Sequence, residues 1–451
     1  MARVLLALPL LPQRMGAPYL GQLMVAAALE RAGHEVAVLD LAARAGPTLE
    51  DAVERIHVFD PDVLGLTLFT ANAARGYALL GQLRGLRARV VVGGPHATVC
   101  KEEPLRFGAH AVLSGEGERS LPAWLAGERA SGLTTAAGTT PVEALSELDA
   151  LPFAHDAAHL FDPAWYGGSA LAGGVVSSRG CPARCTFCAN YVTGRVYRYR
   201  SPASVVAELV ALRQRYDLSF VPFWDDAFTA SRPRLEALCD AILAEPKLKG
   251  LTWSAITPAV MVKPWDLERM AKAGCVAINF GIESGDLDVL REIKKGQRPE
   301  QVVEAVRAAK AAGMRTIVNV MFGFPGEGLT GLANTQGLMD RLAEYTDFFN
   351  NRGVLMPFPG TEIYDRHADE YGFREWWLDP RRVPDEPDLG GLSAEEAAVA
   401  LEVDPTLELD FFRYSDEVRD GIAACVAFKA RHNARTIAAM TSPGRSAPLR
   451  T

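Results

Sequence analysis

Three cysteines lie within eight residues of one another, Cys181, Cys185 and Cys188, in the segment SSRGCPARCTFCANY. Thiolates at this spacing can converge from one loop onto a single iron–sulfur cluster. Three thiolates on a four-iron cluster leave one iron open to an outside ligand. Gly180 and Pro182 suit a tight loop directly after a strand. A structural zinc site is the alternative, but zinc takes four ligands and no fourth Cys or His is close in sequence. His155 and His159 are the residues that could supply one. Cys100, Cys239, Cys275 and Cys425 read as buried thiols without a chemical role.

The elements that must position these thiols form two series. Residues 3–130 alternate short apolar strands (near 4–8, 35–41, 62–68, 89–92 and 111–113) with helical stretches. That alternation predicts a parallel sheet wrapped on both faces, with ligands beyond the carboxyl ends of its strands. A linker spans 131–172. From Gly173 the alternation resumes, and Gly174–Ser178 reads as a strand leading straight into the cysteines. Further strands are expected at 219–224, 251–255, 276–281, 315–321 and 353–357. Six such units predict a partial (β/α)6 TIM-type barrel over 173–365, with its chemistry at the carboxyl-terminal mouth. Residues 366–451 read as a small cap, with Trp376, Trp377, Phe411 and Phe412 packed in it and a disordered last dozen residues. The expected fold class is α/β throughout.

The cysteine spacing, with Phe187 before the last thiol, resembles the signature of radical S-adenosylmethionine enzymes. The resemblance implies a 4Fe-4S cluster on Cys181, Cys185 and Cys188, with S-adenosylmethionine on the open iron. It further implies a 5′-deoxyadenosyl radical that abstracts a substrate hydrogen. Later segments resemble the family in order: FWDDAFT at 223–229, FGIESG at 280–285, NVMFGFPGE at 319–327 and MPFPGTE at 356–362. By that likeness the residues expected around S-adenosylmethionine are Phe187, Asp225, Asp226, Glu283, Ser284, Asn319, Gly323 and Phe324. Gly328 departs from the pattern, since relatives often carry Thr there.

The first 130 residues resemble the cobalamin-binding domain of one subgroup, carried by LFTAN at 68–72, VGGPHAT at 92–98 and SGEGE at 114–118. The residues this offers for a corrinoid are Thr67, Phe69, Thr70, Gly93, Gly94, His96, Gly115 and Glu116. The Asp-x-His-x-x-Gly pattern for a lower-axial histidine is absent, as it is from many relatives. An empty, substrate-shaping domain is the other reading.

With cobalamin, the implied reaction is C-methylation of a small natural-product intermediate. Without it, the layout is also that of the apramycin-pathway radical diol dehydratase, and the acidic loops (Asp225, Asp226, Glu283, Glu327) would suit dehydration of an aminoglycoside-type sugar. A non-enzymatic cobalamin or redox sensor is a third reading. The implied partners are a small-molecule substrate and an external one-electron donor of flavodoxin or ferredoxin type. The chain has 451 residues, a net charge of -8 and 49% hydrophobic residues. That acidity argues against a broad nucleic-acid surface. No apolar run approaches the roughly 18 residues of a membrane span. The start, MARVLLALPLLPQRMG, reads as a buried strand rather than a signal peptide, and the clustered thiols point to the reducing cytoplasm.

Overall fold

The computed structural model describes residues 1–83, 85–167, 173–350, 353–385 and 405–441. The first sheet runs in the order β2-β1-β3-β4-β5-β6-β7. Its strands are β1 (Arg3–Leu8), β2 (Glu35–Asp40), β3 (Val63–Thr67), β4 (Arg89–Gly93), β5 (Ala111–Leu113), β6 (Leu133–Thr135) and β7 (Gly138–Thr139). The first five are parallel and the last two antiparallel. Val4 to Leu8 are all buried because helices cover both faces, which is why these strands read as continuous apolar runs. The order 2-1-3-4-5 reverses direction between β1 and β3, and that switch point opens a crevice at the carboxyl ends.

The second series behaves differently. Ser178–Arg179 (β8) pairs antiparallel with Arg198–Tyr199 (β9), rather than opening the barrel as a long strand. A five-stranded parallel sheet follows in the order β10-β11-β12-β13-β14: Phe220–Pro222, Thr252–Pro258, Cys275–Glu283, Arg315–Val320 and Phe348–Asn350. The expected first strand survives as one parallel bridge, Val175 to Phe223. The expected last strand at 353–357 is replaced by β14, and only Val354 bridges back, to Phe322. Burial alternates strictly along β11 and β13, so one face packs under helices and the other lines the barrel interior.

Two cores hold the molecule. One joins β11 to β13 and their helices to the helix Asp416–Thr441. The other joins the first sheet to Trp376, Trp377, Phe411 and Phe412. The residues expected as a separate cap therefore share a core with the opposite end of the chain. Most of the expected disordered tail, 442–451, lies outside the described residues, whereas Met440 and Thr441 are helical. None of the described helices is long and apolar enough to cross a membrane.

Trp376 is 2% exposed and donates its Nε1–H to the Pro357 carbonyl at 2.8 Å. Trp376→Ala should cost about 3–5 kcal/mol, from lost transfer energy and a residual cavity. A thermal scan should show a lowered midpoint; an unmoved midpoint would show that this shared core does not hold the fold.

Candidate functional site

The cysteine loop begins where β8 ends. Gly180 has φ 86° and no room for a side chain, since a Cβ there would sit 2.2 Å from the Val196 carbonyl. The Cys181 N–H donates to the Gly194 carbonyl at 3.1 Å and draws the two ends of the loop together. Its far side is pinned by Thr186, whose N–H donates to Ile293 and whose carbonyl accepts from Ile363 N–H. Burial pushes the Cys181 and Cys185 thiols above their ordinary range. A metal centre is what would make such thiols ionise. Three thiolates from one loop suit a multi-iron cluster with one open iron better than a four-ligand zinc site. His155 and His159 supply no fourth ligand: His155 faces Glu208, and His159 Nε2 lies 3.0 Å from Glu30.

The two carboxylates of FWDDAFT divide their work. Asp225 accepts from Ser177 N–H (2.7 Å), Ser177 Oγ (2.6 Å) and Ser178 Oγ (2.5 Å), with Arg234 at 3.6 Å. It is buried and fully committed to holding the strand ahead of the cysteines, so it is not a free cofactor ligand. Asp226 accepts from Gly180 N–H at 2.9 Å and Thr193 Oγ at 2.7 Å, and it lines the main cavity.

Glu283 stands at a bulge of β12 with φ 63° and pairs with Lys295 at 2.7 Å, both side chains buried. Lys295 in turn lies over the Phe187 ring at 5.7 Å. Ser284 is 0% exposed and bonds to Thr335 Oγ at 3.0 Å, so it ties the loop to the helix Leu329–Leu342 rather than facing a ligand. Asn319 sits on the interior face of β13, and its Oδ1 is buried without a partner, as is that of Asn279 on β12. Both oxygens stand on interior faces of the barrel strands, and neither residue lines the large cavity. Gly323 (φ 73°) accepts from Tyr414 OH at 2.6 Å, and Phe324 is buried edge-on to Phe187. Neither is in the cavity wall.

One cavity of about 1310 Å³ runs from the first sheet to the cysteine loop. From the first sheet it takes Thr67, Gly93, Gly94, Gly115 and Glu116, together with the segment Gln13–Gln22 after β1. From the barrel side it takes Phe187, Thr193, Trp224 and Asp226, then Met321, Asn350 and Met356. A drug-sized ligand needs roughly 300–1,000 Å³, so this space holds more than one small molecule. Gly94 has φ 98°, and a Cβ there would meet the Leu68 carbonyl at 2.7 Å, so glycine lets the chain form a smooth cradle.

Three residues expected at this cradle lie elsewhere. Phe69 packs edge-on to Tyr19 at 5.0 Å. Thr70 and His96 are buried in a polar hub: His96 Nδ1 meets Thr70 Oγ at 3.3 Å, and its Nε2 meets Glu103 at 3.0 Å. The same carboxylate accepts from Tyr77 OH at 2.7 Å and Trp377 Nε1 at 3.1 Å. His96, Cys100 and Glu103 have ligand-like spacing. Yet Glu103 is already saturated with donors, and burial beside Glu103 raises the Cys100 thiol to about 12. The group is a strut between the first sheet and Trp377.

Sequence reasoning missed the central contact. Arg179, directly before Gly180, donates to Glu116 and Glu118, each at 2.6 Å and all three side chains buried. Arg198 adds a bond to Glu116 at 2.8 Å. The signal was present as two acids two residues apart in SGEGE and an Arg beside the cysteines, but nothing local says that they meet.

Cys185→Ala should abolish iron and sulfide loading, whereas Cys275→Ala, a buried thiol at the start of β12, should load normally; equal loading in both would refute the cluster assignment. Glu327 accepts from Gly323 and Phe324 N–H, but burial dominates and raises its carboxyl from 4.5 to about 7. The neutral acid therefore stabilises the fold fully below pH 4.5, and the contribution, about 3 kcal/mol, is lost as pH rises through 7. Glu327→Gln keeps the acceptor and removes the titration. Its melting temperature should exceed the parent's at pH 8 and meet it near pH 5; parallel profiles would show that Glu327 is already ionised in the fold.

The model of the radical SAM superfamily matches residues 175–336, and that of the B12 binding domain matches residues 16–125. An uncharacterized methyltransferase of Pyrococcus horikoshii is 28% identical over 359 residues, covering 75% of this chain and 76% of that one. The cytidylyl-2-hydroxyethylphosphonate methyltransferase of Streptomyces wedmorensis is 27% identical over 383 residues, covering 68% and 69%. Among solved structures, the cobalamin-dependent S-adenosylmethionine radical enzyme OxsB has a TM-score of 0.66 at 18% identity, covering 84% of this chain; the chain spans only 56% of OxsB. The radical S-adenosylmethionine methyltransferase TsrM of Kitasatospora setae has a TM-score of 0.65 at 22% identity, covering 82% and 75%. These structural likenesses show the fold. The chain is an enzyme of the radical S-adenosylmethionine superfamily, with a B12 binding domain ahead of its radical domain.

Proposed function

We propose that this enzyme methylates a carbon atom of a small natural-product intermediate, using a 4Fe-4S cluster, S-adenosylmethionine and cobalamin. The observation that carries the reading is the single cavity shared by the glycine cradle of the first sheet and the cysteine loop. When bound, the cluster and S-adenosylmethionine supply a radical that abstracts a substrate hydrogen, and the corrinoid supplies the methyl group.

The chain's own residues then bind, orient and exclude water. Cys181, Cys185 and Cys188 hold the cluster. Asp226 lines the cavity and keeps the Gly180 turn in place. Glu283 is held by Lys295 at the same mouth. Thr67, Gly93, Gly94 and Gly115 offer backbone and small side chains to a flat, broad corrin ring. Met321, Val354, Leu355, Met356 and Phe358 form an apolar wall, which keeps bulk water from a carbon radical.

That wall also favours methylation over dehydration of a cationic sugar. Of the barrel-loop acids, Asp225, Glu283 and Glu327 lie outside the cavity wall and Asp226 is in it, whereas Glu116 and Glu118 in the wall are already paired with Arg179 and Arg198. Names of relatives that are methyltransferases point the same way. A soluble one-electron donor would deliver the reducing electron.

Anaerobically reconstituted enzyme should bind hydroxocobalamin with resolved corrinoid bands, and its product should gain the mass of one methyl group. Loss of water from the substrate, or a product formed at full rate without any corrinoid, would overturn the proposal.

A further inference from the structure

The cysteine loop is closed at its neck. Gly180 and Gly194 both have positive φ, 86° and 76°, and Cys181 N–H to Gly194 carbonyl joins them. Two guanidiniums flank that neck. Arg179 stands before it and reaches Glu116 and Glu118. Arg198 stands beyond it, reaches Glu116 at 2.8 Å, and donates back to the Thr193 carbonyl within the loop at 2.8 Å. Glu116 also accepts from Leu145 N–H at 2.8 Å, so both its oxygens are spent. The quartet is neutral in sum, with Arg179, Glu116 and Glu118 buried and Arg198 half-buried, and neither acid can turn elsewhere without stranding a charge.

The acids belong to the other domain's ligand wall. Gly115, Glu116, Gly117 and Glu118 all line the cavity on the first-sheet side, as does Met24, whose sulfur accepts from Arg179 at 3.2 Å. A ligand seated on the Gly115–Gly117 turn therefore touches the backbone whose side chains grip both ends of the cluster loop.

We propose that Arg179 is a positioning residue that couples occupancy of the first-sheet half of the cavity to the conformation of the cysteine loop. The inference rests on the reading of that half as a corrinoid site, but its ionic part does not. Coupling free energy is reciprocal, so assembly of the cluster must also be felt at Gly115–Glu118. A guanidinium serves where an ammonium would not, because its fork meets two carboxylates at once.

The test is hydrogen exchange read by mass spectrometry on the full chain, cluster-free, cluster-loaded, and cluster-loaded with hydroxocobalamin. In the parent, hydroxocobalamin should slow exchange across 180–194, and cluster loading alone should slow it across 111–118. Each change should be about fivefold or more, the lower end of ordinary coupling. In Arg179→Lys both changes should vanish while iron content and corrinoid absorbance persist. Glu118→Gln keeps the Glu116 arm and should retain part of them. Parent exchange that moves at neither segment overturns the coupling, and so does full transmission in Arg179→Lys. If Arg179→Lys does not fold, full transmission in Glu118→Gln overturns it instead. A parent that takes up no corrinoid sinks the cobalamin reading alone, and the cluster-loading arm still decides the coupling.

Discussion

The buried bridge from Arg179 to Glu116 and Glu118 is the contact on which the rest of the site depends. Each of these ions loses its water, and the loss is recovered only because the guanidinium meets both carboxylates at 2.6 Å. Breaking such a pair from one side strands a charge, at a cost of about 3–5 kcal/mol. The bridge therefore acts as a condition on the fold: the first sheet and the cysteine loop meet in one way or pay that penalty. Chain adjacency turns this into chemistry. Arg179 is two residues from Cys181, so what fixes the guanidinium also fixes the first thiol relative to the glycine cradle.

A second layer holds the loop from the barrel side. Asp225 and Asp226 are neighbours with opposite duties. Asp225 accepts three hydrogen bonds from the serines before the loop, and Asp226 accepts the Gly180 N–H at its entry. A carboxylate accepting several donors is a rigid, charged anchor. Two such anchors on one strand end, with the Arg179 bridge opposite, restrain the loop along different directions. The loop is thereby held from two sides, as a site that must orient a reactive species requires.

The parallel first sheet was legible because strands buried on both faces are apolar throughout, and β1 to β5 fall within a residue or two of their expected places. The barrel's core strands are legible from the same signal, short apolar runs alternating with helical stretches. Its edges are not. Gly174–Ser178 looks like a strand, yet its parallel pairing is a single bridge from Val175 to Phe223, and the Ser177 N–H goes to Asp225 instead of a ladder. At the other end, apolar residues at 353–357 were read as the last strand. Val354, Leu355 and Met356 line the cavity, and β14 is the less conspicuous Phe348–Asn350. The thiols were readable because three ligands share one loop. Ser284 and Thr70 take their orientation from partners distant in sequence, Thr335 and His96, and the Glu103 that holds His96 is itself fixed by Trp377. Contacts over such separations leave no local period to read.

Strain marks where this fold concedes stability to geometry. Glu283 is held at φ 63°, a region costly for any residue with a Cβ, by of order 1 kcal/mol or more. Nothing in an ordinary β-strand needs this. The bulge exists because Lys295 is buried and demands a carboxylate, and Gly281 makes space for it: a Cβ there would lie 2.6 Å from Glu283 Oε1 and 2.9 Å from Lys295 Nζ. Lys295 then lies against Phe187, which stands immediately before Cys188 and forms part of the cavity wall. The strained backbone thus fixes a charge pair, the pair fixes an aromatic ring, and the ring shapes the space beside the third thiol. Backbone strain persists only where the surroundings over-determine it. Here they do so at the point where the barrel must present a fixed surface to whatever binds the cluster.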